Sequence, residues 1–154
     1  MRPEKLEIKT ALQVLKPVNE VFEAIADPNK MSVYFISKSD GRIEAGKTLN
    51  WEFPEFEGSW PVKILKVAEN KQIAFSWEVV SGHITRAEIN LEARENNSTL
   101  VRIHEKSMEN DENGIKWLLS NTEGWSFFLA CLKAYLEYGI NLRKGGYDFM
   151  TAPD

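Results

Sequence analysis

The chain has 154 residues, of which 43% are hydrophobic and 27% charged, as expected for one globular domain. Nineteen Lys and Arg residues against 23 Asp and Glu residues give a net charge of −4. Nucleic acids and anionic membrane surfaces are bound through clustered cations, so neither partner is expected. Cys131 is the single cysteine, and residues 1–7 lack the apolar core of a signal peptide. A cytoplasmic location is therefore predicted.

The amino-terminal third predicts one strand followed by two short helices. Residues 4–16 alternate between apolar and polar side chains, which indicates a half-buried strand. Pro17 ends the strand, and residues 17–26 carry apolar side chains at helical spacing. Asp27-Pro28 has the pattern of a helix N-cap followed by a proline at the first helical position, which predicts a second short helix.

The middle of the chain predicts six more strands. Between residues 37 and 107 the apolar period is two, and Gly and Asn residues separate the runs. In the fourth strand of the chain Val62 and Ile64 share one parity while Leu65 and Val67 share the other, which predicts a β-bulge near Ile64-Leu65, with Leu65 and Val67 facing inward. The predicted strands lie near 37–45, 47–55, 59–68, 72–80, 84–94 and 99–108.

The register of the last hairpin can be argued from parity. The apolar residues of its two strands face one side only if the numbers of opposed residues sum to an even value, which a three-residue loop at 96–98 provides. This register places Ile89 opposite Glu105 and Ala87 opposite Ser107. The carboxylate of Glu105 is then expected to point inward.

The carboxy-terminal part predicts one long helix and a tail. Asn110-Asp111-Glu112 offer caps and favourable charge for a helix start, and the apolar period then returns to 3.6. Gly139 is expected to help end the helix. The segment from Tyr147 onward has no period and is expected to be a loose tail, so we divide the chain into a domain of residues 1–142 and a tail of 143–154.

Motifs spread over residues 6–140 resemble a known family. They are Val21-Phe22, Asp27-Pro28, Tyr34-Phe35, Gly46, Gly58, Phe75-Ser76-Trp77, Thr99-Leu100-Val101, Gly124-Trp125, Leu129, Leu132, Leu136-Glu137 and Gly139. The chain resembles the START-like superfamily (SRPBCC, Bet v 1-like), in the branch of the carboxy-terminal domain of the activator of the ninety-kilodalton heat-shock protein ATPase. It departs from the family where Tyr34 replaces a common Trp and where residues 68–71 lack a proline.

The element order and the resemblance agree on one architecture. We predict an α+β helix-grip fold, in which a curved antiparallel sheet of about seven strands and two short helices hold one long carboxy-terminal helix. The resemblance implies a cavity between that helix and the sheet. Inward positions of small residues on the last two strands, Thr85, Ala87, Ala93 and Ser107, independently predict free volume there.

Twelve residues form the candidate ligand site. Aromatic side chains of the sheet and helix would wall the cavity, and Glu105, His83 or Tyr135 would orient the polar end of a ligand. The alternatives are that the aromatic residues simply fill the core, and that Glu105 lies at an exposed strand end or is satisfied by Arg or Tyr. The candidates are Trp51, Phe53, Phe75, Trp77, His83, Thr85, Ala87, Glu105, Ser107, Trp125, Phe128 and Tyr135.

Catalytic and metal sites are not indicated. His83 and His104 have opposite parity, so they should not meet on one face of the sheet, and no third ligand is apparent. Cys131 lies in an apolar helix where a thiol behaves as a small hydrophobic group, and no nucleophile motif is present. We predict no catalytic residue, no metal and no cofactor.

Three functions are compatible with these observations. The leading hypothesis is non-catalytic binding of a small, largely hydrophobic molecule between sheet and helix. The family resemblance implies the second, a chaperone cofactor that acts through a protein interface. The third is an enzyme of the polyketide-cyclase type that uses an inward carboxylate for acid–base chemistry.

Overall fold

The computed structural model describes residues 4–80 and 82–150. Over these residues the chain forms seven strands, three α-helices and one short 3₁₀ helix. The elements are β1 (Lys5–Val14), α1 (Val18–Ala26), α2 (Pro28–Tyr34), β2 (Lys38–Ser39), β3 (Thr48–Glu52), β4 (Trp60–Ala68), β5 (Gln72–Val80), β6 (His83–Arg94), β7 (Ser98–Glu109), α3 (Glu112–Tyr138) and the 3₁₀ helix Asp148–Met150.

The strands form one antiparallel sheet that holds the long helix. Their order is β1-β7-β6-β5-β4-β3-β2, so every chain-consecutive pair from β2 to β7 is a neighbour and β1 closes beside β7. Helix α3 packs on β1 and β7, and α1 and α2 lie against α3. The core lies between the sheet and the three helices. This arrangement confirms the predicted α+β helix-grip fold.

Local capping chemistry sets the helix boundaries. The Asp27 side chain accepts a hydrogen bond from the Asn29 backbone N–H at 2.9 Å, and Pro28 occupies the first turn of α2. At the start of α3 the Asp111 side chain accepts from the Gly114 N–H at 2.8 Å. Gly139 ends α3 in the left-handed region at φ 66°. All three boundaries were predicted and are confirmed.

The bulge in β4 is where the sequence placed it, but its side-chain directions differ. The register of β4 against β5 shifts between Ile64 and Lys66, so Leu65 is the inserted residue. Leu65 is 37% exposed, whereas Val62 and Ile64 are buried. The inward prediction for Leu65 is therefore wrong, because the inserted residue has no partner opposite. Val67 returns to the inner face and packs on the core.

Strands β2 and β3 are shorter than the predicted runs 37–45 and 47–55. The Asp40 carboxylate accepts hydrogen bonds from both the backbone N–H and the side-chain amide of Asn50, each at 2.9 Å. Ile43 donates its N–H to the Ala26 carbonyl at 3.1 Å. These bonds tie the segment to β3 and α1 in place of a continuous ladder, which ends β2 early.

The register of the β6–β7 hairpin differs from the predicted one by two positions. Arg94 is opposite Ser98, so the three-residue loop is 95–97 and not 96–98. Both loops satisfy the even-sum rule. The loop 95–97 forms because it has Asn96 and Asn97 at its second and third positions, where they adopt left-handed φ values of 60° and 54°. Ala87 is therefore opposite Glu105, which corrects the predicted pairing with Ile89.

The segment after α3 packs on the domain as far as it is described. The guanidinium of Arg143 pairs with the Glu55 carboxylate, and their side chains are only 11% and 8% exposed. The same guanidinium lies over the Tyr147 ring at 5.0 Å, and Tyr147 contacts Phe127 edge-on. Tyr147 is thus packed on the domain and is not part of a loose tail, residues 148–150 are exposed, and residues 151–154 of the expected tail lie outside the described part. The division at residue 142 stays a prediction.

Candidate functional site

One end of the wedge between α3 and the sheet is solid core. Trp51 contacts Phe75 with ring centroids 5.3 Å apart, and Phe128 contacts Phe35 at 4.8 Å. Tyr34 stacks on Tyr135 at 5.3 Å. Trp51, Phe75 and Phe128 are almost completely buried. At this end the aromatic side chains fill the space, which is the alternative that the sequence left open.

At the other end the wedge opens into a cavity of about 510 Å³. Its borders are the middle of α3, the loop that follows β3 and the segment after α3. The volume lies within the range of small-molecule sites, roughly 300–1,000 Å³. The lining residues are Phe35, Phe53, Glu55, Phe56, Trp77, Ser120, Asn121, Glu123, Gly124, Trp125, Arg143, Tyr147, Phe149 and Met150.

Two tryptophans form the inner wall of this cavity. Trp77 on β5 and Trp125 on α3 have ring centroids 5.8 Å apart and planes inclined by 35°. Trp77 donates its Nε1–H to Glu105 Oε2 at 2.9 Å, and Trp125 donates its own to Glu105 Oε1 at 2.8 Å. Because the polar edge of each indole is satisfied, the apolar ring surface is what each residue offers to the cavity.

Glu105 is a fully buried carboxylate at the centre of a hydrogen-bond cluster. Besides the two indoles, the Thr85 hydroxyl lies 2.5 Å from Oε2 and the Asn121 amide lies 3.3 Å from Oε1. Over the described residues no Lys, Arg or His side chain lies within ion-pair distance of it. Both carboxylate oxygens of Glu105 therefore accept hydrogen bonds, and these bonds connect the sheet to α3.

The small residues of β6 make room for this cluster. Thr85 is opposite Trp77, and Ala87 is opposite both Phe75 and Glu105. Thr85 and Ala87 are buried. The volume that small side chains leave at these positions is taken up by larger strand neighbours, so the free volume lies farther along the wedge. Ala93 is exposed and does not contribute.

The structure brings three of the twelve predicted site residues to the cavity: Phe53, Trp77 and Trp125. Six lie buried beneath or beside the wall: Trp51, Phe75, Thr85, Ala87, Glu105 and Phe128. Ser107 and Tyr135 are half-buried outside the lining. His83 is exposed, contrary to its inward parity, because it lies at the β5–β6 turn, where the register is interrupted between Glu78 and Val80.

Sequence reasoning missed the loop and tail residues of the site. Phe56 was not among the candidate residues, and Arg143, Tyr147 and Phe149 were placed in the tail, although all four line the cavity. Phe149 is 75% exposed at the cavity mouth. Two aromatic residues close together in a segment without a period were the available signal, since a solvated tail rarely carries them.

The remaining reactive groups lie elsewhere. Burial raises the pKa of Cys131 to about 11. His104 is on the outer face of the sheet, with Nε2 3.0 Å from Glu7 Oε2. Within residues 4–80 and 82–150, no three His, Cys, Asp or Glu residues converge as metal ligands. In the same ranges no helix has the length and apolar character needed to cross a bilayer.

Solved structures share this fold. The protein SSP2350 from Staphylococcus saprophyticus is 36% identical, with a TM-score of 0.79 over 90% of this chain and 96% of that one. The Aha1 dimer from Colwellia psychrerythraea is 21% identical, with a TM-score of 0.74 over 87% and 98%. DynU16, a putative protein in the dynemicin biosynthetic locus, is 20% identical, with a TM-score of 0.76 over 86% of this chain and 48% of that one.

Family comparison gives the same assignment from the sequence. No curated protein matches the chain. Residues 16–137 match the family described as activator of Hsp90 ATPase homolog 1-like protein, and this range runs from the end of β1 almost to the end of α3. The chain therefore belongs to the activator of Hsp90 ATPase homolog 1-like family, a START-like branch with the helix-grip fold.

Proposed function

We propose that this protein binds a small, largely hydrophobic molecule, without catalysis, in the cavity between the sheet, α3 and the segment after α3. One observation carries the proposal. The cavity of about 510 Å³ is walled by two indole rings whose N–H groups are both bonded to Glu105. Rigid apolar faces around an open volume are typical of small-molecule sites.

The contacts of the proposed ligand differ from those predicted from sequence. Phe53, Trp77 and Trp125 would contact it, together with Phe56 and Tyr147. Glu105 would act through the two indoles as a positioning residue. Burial of about 200 Å² of apolar ligand surface would contribute roughly 5 kcal/mol before the cost of association. A purely apolar ligand would then bind weakly, and polar contacts would add affinity.

The other two hypotheses remain predictions. A protein interface of the chaperone-cofactor type would use exposed apolar residues at the cavity mouth, such as Phe149 and Phe56. An enzyme of the polyketide-cyclase type would need Glu105 to reach the reacting atoms, whereas both of its oxygens are bonded by groups that form the wall. Ligand binding requires neither a partner nor a rearrangement. A cytoplasmic location also stays a prediction.

A cavity-filling substitution provides the test. Gly124 lines the cavity, and a Cβ placed there meets no atom within 4 Å. Gly124→Leu should therefore occupy part of the volume, beside Trp125, while favouring the helix. We expect the neutral fluorophore N-phenyl-1-naphthylamine to bind the unmodified protein and to bind Gly124→Leu at least about tenfold more weakly, a difference near 1.4 kcal/mol.

A control separates blocking from a general effect of added leucine. Asn113 is an exposed residue of the same helix that does not line the cavity. Asn113→Leu should leave the fluorophore affinity unchanged. Equal affinity in all three proteins, or no binding to any of them, would contradict the proposed site.

A further inference from the structure

The charged groups around the cavity do not cancel. Arg143 and Glu55 neutralise each other as an ion pair. Glu123 is an exposed lining residue, and over the described residues no cation lies within ion-pair distance of its carboxylate. Burial raises the pKa of Tyr147, the Arg143 guanidinium lowers it, and the negative charges of Glu123 and Glu55 raise it further. The lining carries two carboxylates and one cation, Arg143, and therefore an excess of negative charge.

Behind the wall lies Glu105, which over the described residues has no cation within ion-pair distance. Both indole nitrogens that contact it are donors only, and they approach different oxygens of the carboxylate. Each oxygen of Glu105 thus accepts a hydrogen bond from one indole, and the region that surrounds the carboxylate excludes water.

The two indoles connect Glu105 to the cavity surface. The faces of aromatic rings attract cations, indole most strongly. An N–H bonded to a carboxylate leaves its ring richer in electron density, which strengthens that attraction. Cation–π contacts already occur in this region. The Arg143 guanidinium lies 5.6 Å from the centroid of the Phe35 ring and 5.0 Å from that of the Tyr147 ring.

We infer that the ligand is an organic cation, with a positive group carried on an apolar body of one or two rings. This inference rests on the proposed function and specifies its ligand class. The apolar body would contact Trp77 and Trp125, and the positive group would lie on the side of Glu123. A neutral molecule of the same shape would lose the attraction to Glu123 and the cation–π contacts with the two indoles, and an anion would be repelled.

Three bicyclic compounds of similar size test the inference. They are the cation 1-methylquinolinium, the neutral 1-methyl-2-quinolone and the anion quinoline-2-carboxylate, each titrated calorimetrically into the full-length protein. We expect the cation to bind about five- to tenfold more tightly than the neutral compound, and the anion to bind most weakly. Added salt should narrow the difference, because Glu123 is exposed.

Two substitutions on α3 sharpen the result. Glu123→Gln should reduce the preference for the cation about twofold, as expected for one exposed charge. Glu112→Gln, also exposed on α3 but outside the lining, should leave it unchanged. If the neutral compound or the anion binds at least as tightly as the cation, or if N-phenyl-1-naphthylamine binds and the cation does not, the inference is wrong and the proposed function stands. If no compound binds, both are wrong.

Discussion

The two ends of the wedge between α3 and the sheet are built from the same residue types with opposite results. At the filled end α2 places Tyr34 against Phe128 and Tyr135 of α3, so the two helices close on each other. At the open end the cover comes from the loop after β3 and the segment after α3, which includes the short 3₁₀ helix. The cavity therefore depends on which segments close the wedge, and only indirectly on small residues in the sheet.

The largest expected effect compares one phenylalanine from each end. Phe128 is fully buried, whereas Phe56 is 48% exposed at the cavity rim. Phe128→Ala should lower the free energy of unfolding by about 3–5 kcal/mol, and Phe56→Ala by less than about 0.5 kcal/mol. Urea denaturation measures both. A similar loss in the two variants would show that the ends are packed alike.

A smaller loss is expected at the carboxylate that holds the wall. Glu105→Gln replaces one carboxylate oxygen by an amide nitrogen, so that a buried N–H donor faces the N–H donor of an indole. The free energy of unfolding should fall by about 1–3 kcal/mol. The emission of Trp77 and Trp125 should shift as well, because one of the two indole N–H groups loses its acceptor oxygen. Urea denaturation and intrinsic fluorescence check this.

Glu109→Gln is the matched control for that variant, since Glu109 is an exposed carboxylate on the same strand. Its stability and emission should match those of the unmodified protein. Unchanged stability and emission in Glu105→Gln would mean that the cluster does not hold the two tryptophans.

Loss of the Arg143–Glu55 ion pair should loosen only the segment that covers the open end of the wedge. Arg143→Ala removes the cation paired with the buried Glu55 carboxylate and the guanidinium that lies over Tyr147. We expect residues 143–150 to detach at a cost of about 1–2 kcal/mol, below the cost of breaking a fully buried pair, because the segment can open by itself. Hydrogen exchange should accelerate in residues 143–150 and stay slow in β5–β7. The control Lys144→Ala should change neither the exchange rates nor the stability. Uniform acceleration would mean that this ion pair stabilises the whole fold.

The smallest effect is a pH dependence at Glu137, far from the cavity. Burial raises the pKa of Glu137, but hydrogen bonds from the Leu15 N–H and from Lys133 outweigh it, so the pKa lies below its ordinary 4.5. A lowered pKa in the folded state stabilises the protein above the unfolded value, and this contribution is lost as pH falls through the folded value.

Glu137→Gln should therefore cost on the order of 1 kcal/mol at pH 7 and less as the medium is acidified toward pH ~3. Urea denaturation at both pH values measures the difference. Glu112→Gln, which removes an exposed carboxylate of the same helix, should show no such dependence. A cost for Glu137→Gln that does not vary with pH would contradict the role of its charge.

Local chemistry explains what the sequence could predict. Parity placed Glu105 inward, and the caps at Asp27 and Asp111 and the stop at Gly139 each depend on residues within one turn. The β6–β7 register was missed because two adjacent three-residue loops satisfy the same parity rule. Only the preference of Asn96 and Asn97 for left-handed backbone separates them.

The open end could not be predicted, because distant segments build it. Arg143 and Glu55 are 88 residues apart, and neither belongs to a periodic pattern. Likewise the donors to Glu105 come from β5, β6 and α3. Parity shows that a carboxylate points inward but not which side chains meet it there. The sequence therefore identified part of the cavity wall and missed its cover.

The indole N–H spectrum of the protein during titration with N-phenyl-1-naphthylamine tests most directly whether ligands bind between β5 and α3. The chain has five tryptophans, of which Trp77 and Trp125 line the cavity while Trp51 and Trp117 are buried outside its lining. The account predicts that the signals of Trp77 and Trp125 shift together and saturate, while those of Trp51 and Trp117 stay in place. Shifts at Trp51 or Trp117 without shifts at the other two would contradict it.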